Sequence, residues 1–102
     1  MASSARLSEL AENDVVEAAR WIAKDNKAAA RGLRETVVRA AARIGDFPHI
    51  GVLRPDLASD KIRFVFLTGY PYVIVYNATR TPPLILRVLH GARDLPDLLH
   101  GL

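Results

Sequence analysis

The sequence predicts an α+β fold: a helical hairpin packed on a small, mainly antiparallel β-sheet, in the order β-α-α-β-β-β with a short C-terminal helix. Three observations predict it. Between Asp14 and Ile44 apolar residues recur at helical spacing. From Lys61 onward the chain turns to β-branched and aromatic runs. The connections between these runs are short and carry Gly, Pro or Asn, which suits neighbouring elements that pack directly on one another.

Each element has its own signal. Ala5 to Leu10 alternates and reads as a short first strand. In Asp14-Val-Val-Glu17 the aspartate is placed to cap a first helix while the glutamate three residues on reaches back, as in a capping box. Val15, Ala18, Ala19 and Ile22 then form one apolar stripe, with Trp21 off it. Lys24-Asp25-Asn26-Lys27 ends this helix and offers Asn26 as the cap of a second, over Lys27 to Ile44. Its buried stripe is Ala29, Leu33, Val37, Ala40, Ala41 and Ile44, and its alanines allow a close neighbour, so the two helices read as a hairpin. Phe47-Pro48 stops it. Three strands follow, Ile62 to Leu67, Tyr72 to Tyr76 and Leu84 to His90, with a tight turn at Thr68-Gly69 and a longer loop from Asn77 to Pro83. Pro96 suits the start of a last helical turn, from which Leu95, Leu98 and Leu99 would pack.

A chain of 102 residues predicts one domain over 1–102. With 50% hydrophobic and 25% charged residues it predicts a folded globular protein rather than a disordered or fibrous one. The formal charge is +3, and 11 of its 14 cations are arginine, which favours planar, bidentate contacts with acidic partners. Lys27, Arg31, Arg34, Arg39 and Arg43 against Glu35 alone make the second helix the most basic segment. The absence of cysteine excludes disulfides, thiolate metal sites and a cysteine nucleophile. No apolar leader or membrane-length run is present, so a soluble, cytoplasmic protein is expected.

Motifs for nucleotides, metals and hydrolytic triads are missing, and His49, His90 and His100 have no ligand spacing, so neither metal nor cofactor is expected. The most informative stretch is Arg87-Val-Leu-His-Gly-Ala-Arg-Asp94, where a strand runs out into a Gly turn carrying two arginines, a histidine and an aspartate. There Arg87, His90, Arg93 and Asp94 are candidate binding residues, although Arg93 and Asp94 also read as a plain surface pair. Arg63 alternates with Ile62 and Phe64 and, if the phenylalanines enter the core, faces outward to join Arg87 in an arginine-bearing sheet face; Arg54 is a lesser candidate. Such arginines equally suit a solvated face. Tyr70, Tyr72 and Tyr76 could supply stacking or proton transfer at an RNA site, while Tyr72, Ile74 and Tyr76, at alternate positions in a strand, more often form core with hydroxyls reaching the edge.

Taken in order, Arg6-Leu-Ser8, Leu10-Ala-Glu-Asn-Asp14, Phe47-Pro48 before Gly51 and Arg54, Tyr72-Val-Ile-Val-Tyr76 and Arg87-Val-Leu-His-Gly-Ala-Arg-Asp94 resemble the ParE branch of the RelE/ParE toxin superfamily. The last stretch is the most specific. The resemblance implies the toxin half of a type II toxin–antitoxin module that inhibits DNA gyrase by binding, blocks replication, and is neutralised by a ParD-like antitoxin encoded beside it. It implies no enzyme activity and no sequence-specific nucleic-acid binding by the toxin alone. The alternative within the superfamily is a RelE-like, ribosome-dependent mRNA endoribonuclease, whose chemistry needs cations on the phosphate and a Tyr, His or Glu for proton transfer. Here the arginine of the glycine-x-arginine turn is kept as Arg93. The tyrosine expected six residues later is Leu99, and Ala92 stands where a basic residue would help, while His100 keeps the alternative open. On this reading Arg87, His90, Arg93, Asp94, Leu98, Leu99 and Arg63 meet the target. Trp21 and Val38, off the apolar stripes, with Arg31 and Arg34, meet the antitoxin; Trp21 and Val38 equally suit packing under the Phe47 to Asp60 loop.

Overall fold

The computed structural model describes residues 3–98, and Leu99 and His100 lie outside them. Its elements are β1 (Arg6–Leu7), α1 (Glu9–Ala23), α2 (Lys27–Asp46), β2 (Val52–Leu53), β3 (Ile62–Phe66), β4 (Tyr72–Asn77), β5 (Leu84–His90) and α3 (Leu95–Leu98). The expected helical hairpin and three long strands are present. They form a mixed five-stranded sheet in the order β1-β5-β4-β3-β2, parallel only between β1 and β5. The two-residue β2 has no counterpart in the sequence reading, because two residues are too few to show a period.

The first helix starts earlier than its expected cap. Ser8, not Asp14, is the N-cap: its Oγ accepts from the Ala11 amide at 3.1 Å and its hydroxyl donates to the Leu86 carbonyl at 2.9 Å, pinning the helix start to β5. Glu9 and Glu12 in the first turn favour that start through the helix dipole. Asp14 is therefore inside a helix, free for another task. Asn26 does cap α2, its Oδ1 accepting from Ala29 at 3.0 Å. The β3–β4 turn closes through Leu67 N–H to the Tyr72 carbonyl, with Gly69 at φ +83°, a conformation that side chains disfavour.

Both sheet faces are covered. On one, Val15, Leu33, Val37, Ile44, Ile74 and Tyr76 form the main core between the hairpin and the strands. On the other, Phe64, Val73, Val75 and Leu89 lie beneath Leu57, Ala58 and Leu95, contributed by the 54–60 loop and α3. Tyr72 to Tyr76 are buried throughout because β4 is central in the sheet and sandwiched on both sides. Tyr76 donates its hydroxyl to the Pro48 carbonyl at 2.7 Å and accepts from the Gly51 amide at 3.0 Å, holding the loop after α2. Among the described residues no helix is long and apolar enough to cross a membrane.

Candidate interaction surfaces

Two surfaces flank α1. The first begins with a sheet edge. Because β1 pairs only with Leu84 and Ile85, the rest of β5 has no strand on its outer side, and such an edge leaves backbone amides open. Two aspartates close it. The Val88 N–H donates to Asp14 Oδ2 at 3.0 Å, and the His90 N–H donates to Asp94 Oδ2 at 3.1 Å. Arg87 reaches back to Asp14 with a bidentate pair, Nε to Oδ2 at 2.8 Å and Nη2 to Oδ1 at 3.0 Å. Arg93 pairs with Asp94 at 3.0 and 3.3 Å. The Arg93 amide donates to His90 Nδ1 at 3.1 Å, so a neutral His90 carries its proton on Nε2. The His90 ring meets Tyr72 edge-on, with centroids 5.5 Å apart.

These contacts settle the electrostatics of the strand end. Hydrogen bonds from Arg93 hold the Asp94 carboxyl below the usual aspartate range. The Asp14 and Asp94 carboxylates raise the Arg87 and Arg93 guanidinium groups above their ordinary value. Both cations are thus compensated within the chain. Glu17 and Asp97 line the same surface and make no ion pair among the described residues, leaving it with an excess of negative charge.

Trp21 belongs to this surface. It is 58% exposed and lines a small pocket with Asp14, Glu17, Tyr72, Arg93 and Asp94, and Lys24 Nζ lies 4.6 Å from its ring centre. The sequence reading had set it apart from Arg93 and Asp94, on the antitoxin side or under the 47–60 loop. Arg63 is not here: β4 separates β3 from β5, and the Arg63 guanidinium donates to the His49 and Gly51 carbonyls at 3.1 and 2.8 Å. The expected arginine-bearing sheet face therefore does not form, because Arg63 fastens a loop and Arg87 wraps round the sheet edge to α1. Arg54 pairs with Asp56 in an exposed loop. Leu98 ends α3, and Leu99 falls outside the described residues.

The second surface is on the other side of α1. Between α1 and α2 runs a groove of about 930 Å³, its walls made by Val15, Val16, Ala19, Ala23, Ala30 and Val38. Val38 is 60% exposed. Arg20, Lys27, Arg31, Arg34 and Arg39 surround the apolar strip, with Glu35 as its acid. Of the residues assigned to the antitoxin, Val38, Arg31 and Arg34 come together here, and Trp21 does not. An apolar channel with a cationic rim suits an amphipathic helix bearing acidic side chains.

Sequence reasoning missed Asp14 and Glu17 at the strand end and Val16 in the groove. A signal for Asp14 was present: with Ser8 as cap, an aspartate is left inside a helix, where its side chain favours other bonding and needs a partner. No group of three or more His, Asp or Glu side chains is arranged to hold a metal among the described residues.

Residues 5–95 match the family model described as the ParE toxin of a type II toxin–antitoxin system, parDE. Among solved structures, one titled as the chromosomal ParDE TA system from P. aeruginosa shares the fold, with a TM-score of 0.69 at 16% identity, over 85% of this chain and 94% of that one. No curated protein sequence matches.

Proposed function

The chain belongs to the ParE toxin family of type II toxin–antitoxin systems, and from that premise we propose that it is a cytoplasmic inhibitor of DNA gyrase, neutralised by a ParD-like antitoxin. Inhibition is by binding, and the module serves plasmid stabilisation. The strand-end surface, with Trp21, Glu17, His90, Arg93 and Asp94, meets gyrase, and an acidic, amphipathic segment of the antitoxin fills the groove between α1 and α2.

The internal pairing of Arg87 with Asp14 and of Arg93 with Asp94 carries this reading. A nuclease working on a phosphodiester needs cations available to the developing phosphate charge. Here the two arginines already face carboxylates, and Glu17 and Asp97 beside them are uncompensated acids. Such a surface favours recognition of a protein over catalysis on RNA.

The test is a pair of assays with purified protein, gyrase supercoiling and ribosome-programmed mRNA cleavage. Inhibited supercoiling with intact mRNA is expected. Cleaved mRNA with normal supercoiling would overturn the proposal. Two variants then separate the surfaces: Trp21→Glu is expected to relieve gyrase inhibition and leave antitoxin affinity unchanged, and Val38→Asp the reverse.

A further inference from the structure

Trp21 is the chain's single tryptophan, and it lines a pocket of about 280 Å³ at the strand end with more than half of its surface open. Three groups of this pocket lack a full set of partners. Glu17 is exposed and makes no ion pair among the described residues. Tyr72 is only 3% exposed, yet its hydroxyl makes no bond of hydrogen-bonding geometry among them, whereas those of Tyr70 and Tyr76 each reach a backbone carbonyl. No enclosed side-chain oxygen or nitrogen of the described residues lacks a partner, so that hydroxyl opens into the pocket its residue lines. The third group is the indole. The ammonium of the exposed Lys24 lies 4.6 Å from its ring centre, and an exposed pair of this kind is weak enough to yield to a planar cation.

We infer that this pocket receives an arginine side chain from a basic segment of the target protein. Its guanidinium stacks on Trp21 in place of Lys24 and donates from its fork of five N–H groups to the Glu17 carboxylate and the Tyr72 oxygen. Arg87 and Arg93 do not repel it, since each already faces an aspartate. Asp97, in the adjoining cavity that shares Glu17 and Asp94, adds to the negative field. That field selects for a cation and against nucleic acid or an acidic peptide. Strand addition is closed here, because Asp14 and Asp94 hold the Val88 and His90 amides. The inference rests on the reading of the strand end as the target-binding surface and adds the chemistry which that surface recognises.

The probe is N-acetylarginine amide, titrated into the isotope-labelled full chain while NMR follows the one indole N–H resonance, that of Trp21. A saturable shift is expected, about threefold or more weaker with the lysine analogue and absent with the uncharged citrulline analogue. Glu17→Gln is expected to weaken the arginine probe about fivefold, and Tyr72→Phe, which keeps the buried ring, about twofold or more. Asp60→Asn, at an exposed acid elsewhere, should leave it unchanged. Glu17→Gln should also weaken inhibition of supercoiling. No saturation, an equal citrulline shift, or undiminished affinity in Glu17→Gln would overturn the inference. So would a self-association of the free chain that the probe disperses, which would put an arginine of a second copy in the pocket. If Glu17→Gln loses the probe and still inhibits supercoiling as the parent does, the target does not use the pocket and the inference fails. If the probe binds as expected and the unaltered protein leaves supercoiling intact, the gyrase reading fails while the arginine pocket stands.

Discussion

Replacing Asp14 by alanine removes the acceptor that closes the β5 edge, and its cost follows from the hydrogen bonds that this carboxylate makes. The Val88 amide gives up a bond to a charged acceptor at 3.0 Å, the class worth roughly 1.5–3 kcal/mol. The Arg87 pair is less valuable than its two short bonds suggest, because the arginine side chain is 33% exposed against 14% for Asp14. Water re-solvates the freed guanidinium, so this pair adds at most about 1 kcal/mol. Together the loss is about 2–3 kcal/mol, a fall in Tm of roughly 10–20 °C for a domain near this size. Asp14→Asn, which keeps one acceptor oxygen for Val88, is expected to lose about half as much. Thermal and urea unfolding followed by circular dichroism measure both. Crossing Asp14→Ala with Arg87→Ala should reveal a coupling of about 0.5–1 kcal/mol. Stability of Asp14→Ala within about 0.5 kcal/mol of the parent would refute the edge-closing role.

Other outcomes follow from single contacts. Gly45→Ala should destabilise by about 1–2 kcal/mol although helix propensity alone favours it by about 1, because the new methyl would meet the backbone of Ser3 and, at 2.7 Å, Ser4 Cα; urea unfolding checks the sign. Tyr76→Phe should cost about 1–3 kcal/mol by leaving the Gly51 amide unbonded, with faster proteolysis of the 47–60 loop as a second readout. Asp94 has a lowered folded pKa, so its contribution is present above the ordinary aspartate value, about 3.9, and is lost as pH falls through the lower folded value. Burial raises the Tyr76 pKa, so its contribution is present below about pH 10 and is lost as pH rises through the folded value. Chemical unfolding across both windows, with Asp94→Asn and Tyr76→Phe as controls, tests these signs.

Legibility tracked the length of each pattern. The α2 stripe from Leu33 to Ile44 and the strand runs at Ile62, Tyr72 and Leu84 repeat often enough to fix element type, and Asn26 caps where local chemistry places it. Ser8 was harder to read than Asp14, since both are good caps and only the carbonyl of Leu86, 78 residues away, favours the serine. At the strand end the sequence supplied Arg87, His90, Arg93 and Asp94 together, yet their charge state depends on Asp14, which is distant in the chain. Trp21 and Val38 looked alike as apolar residues off their stripes, but α1 presents Trp21 to the strand end while α2 presents Val38 to the groove between the helices.

The class of fold, the order of its long elements, the basic character of α2 and the family were all legible before folding is considered. The first three follow from periodicity, composition and local chemistry, which are properties of neighbours in the chain, and the family from the resemblance of several motifs taken in order. Folding in three dimensions was needed to show that Arg87 and Arg93 face carboxylates of the same chain, that Arg63 fastens a loop, and that Trp21 joins the strand end. Side-chain pairing at a sheet edge depends on which strands come to lie beside it and where they stop, and two-residue strands such as β1 and β2 leave almost no mark in the sequence.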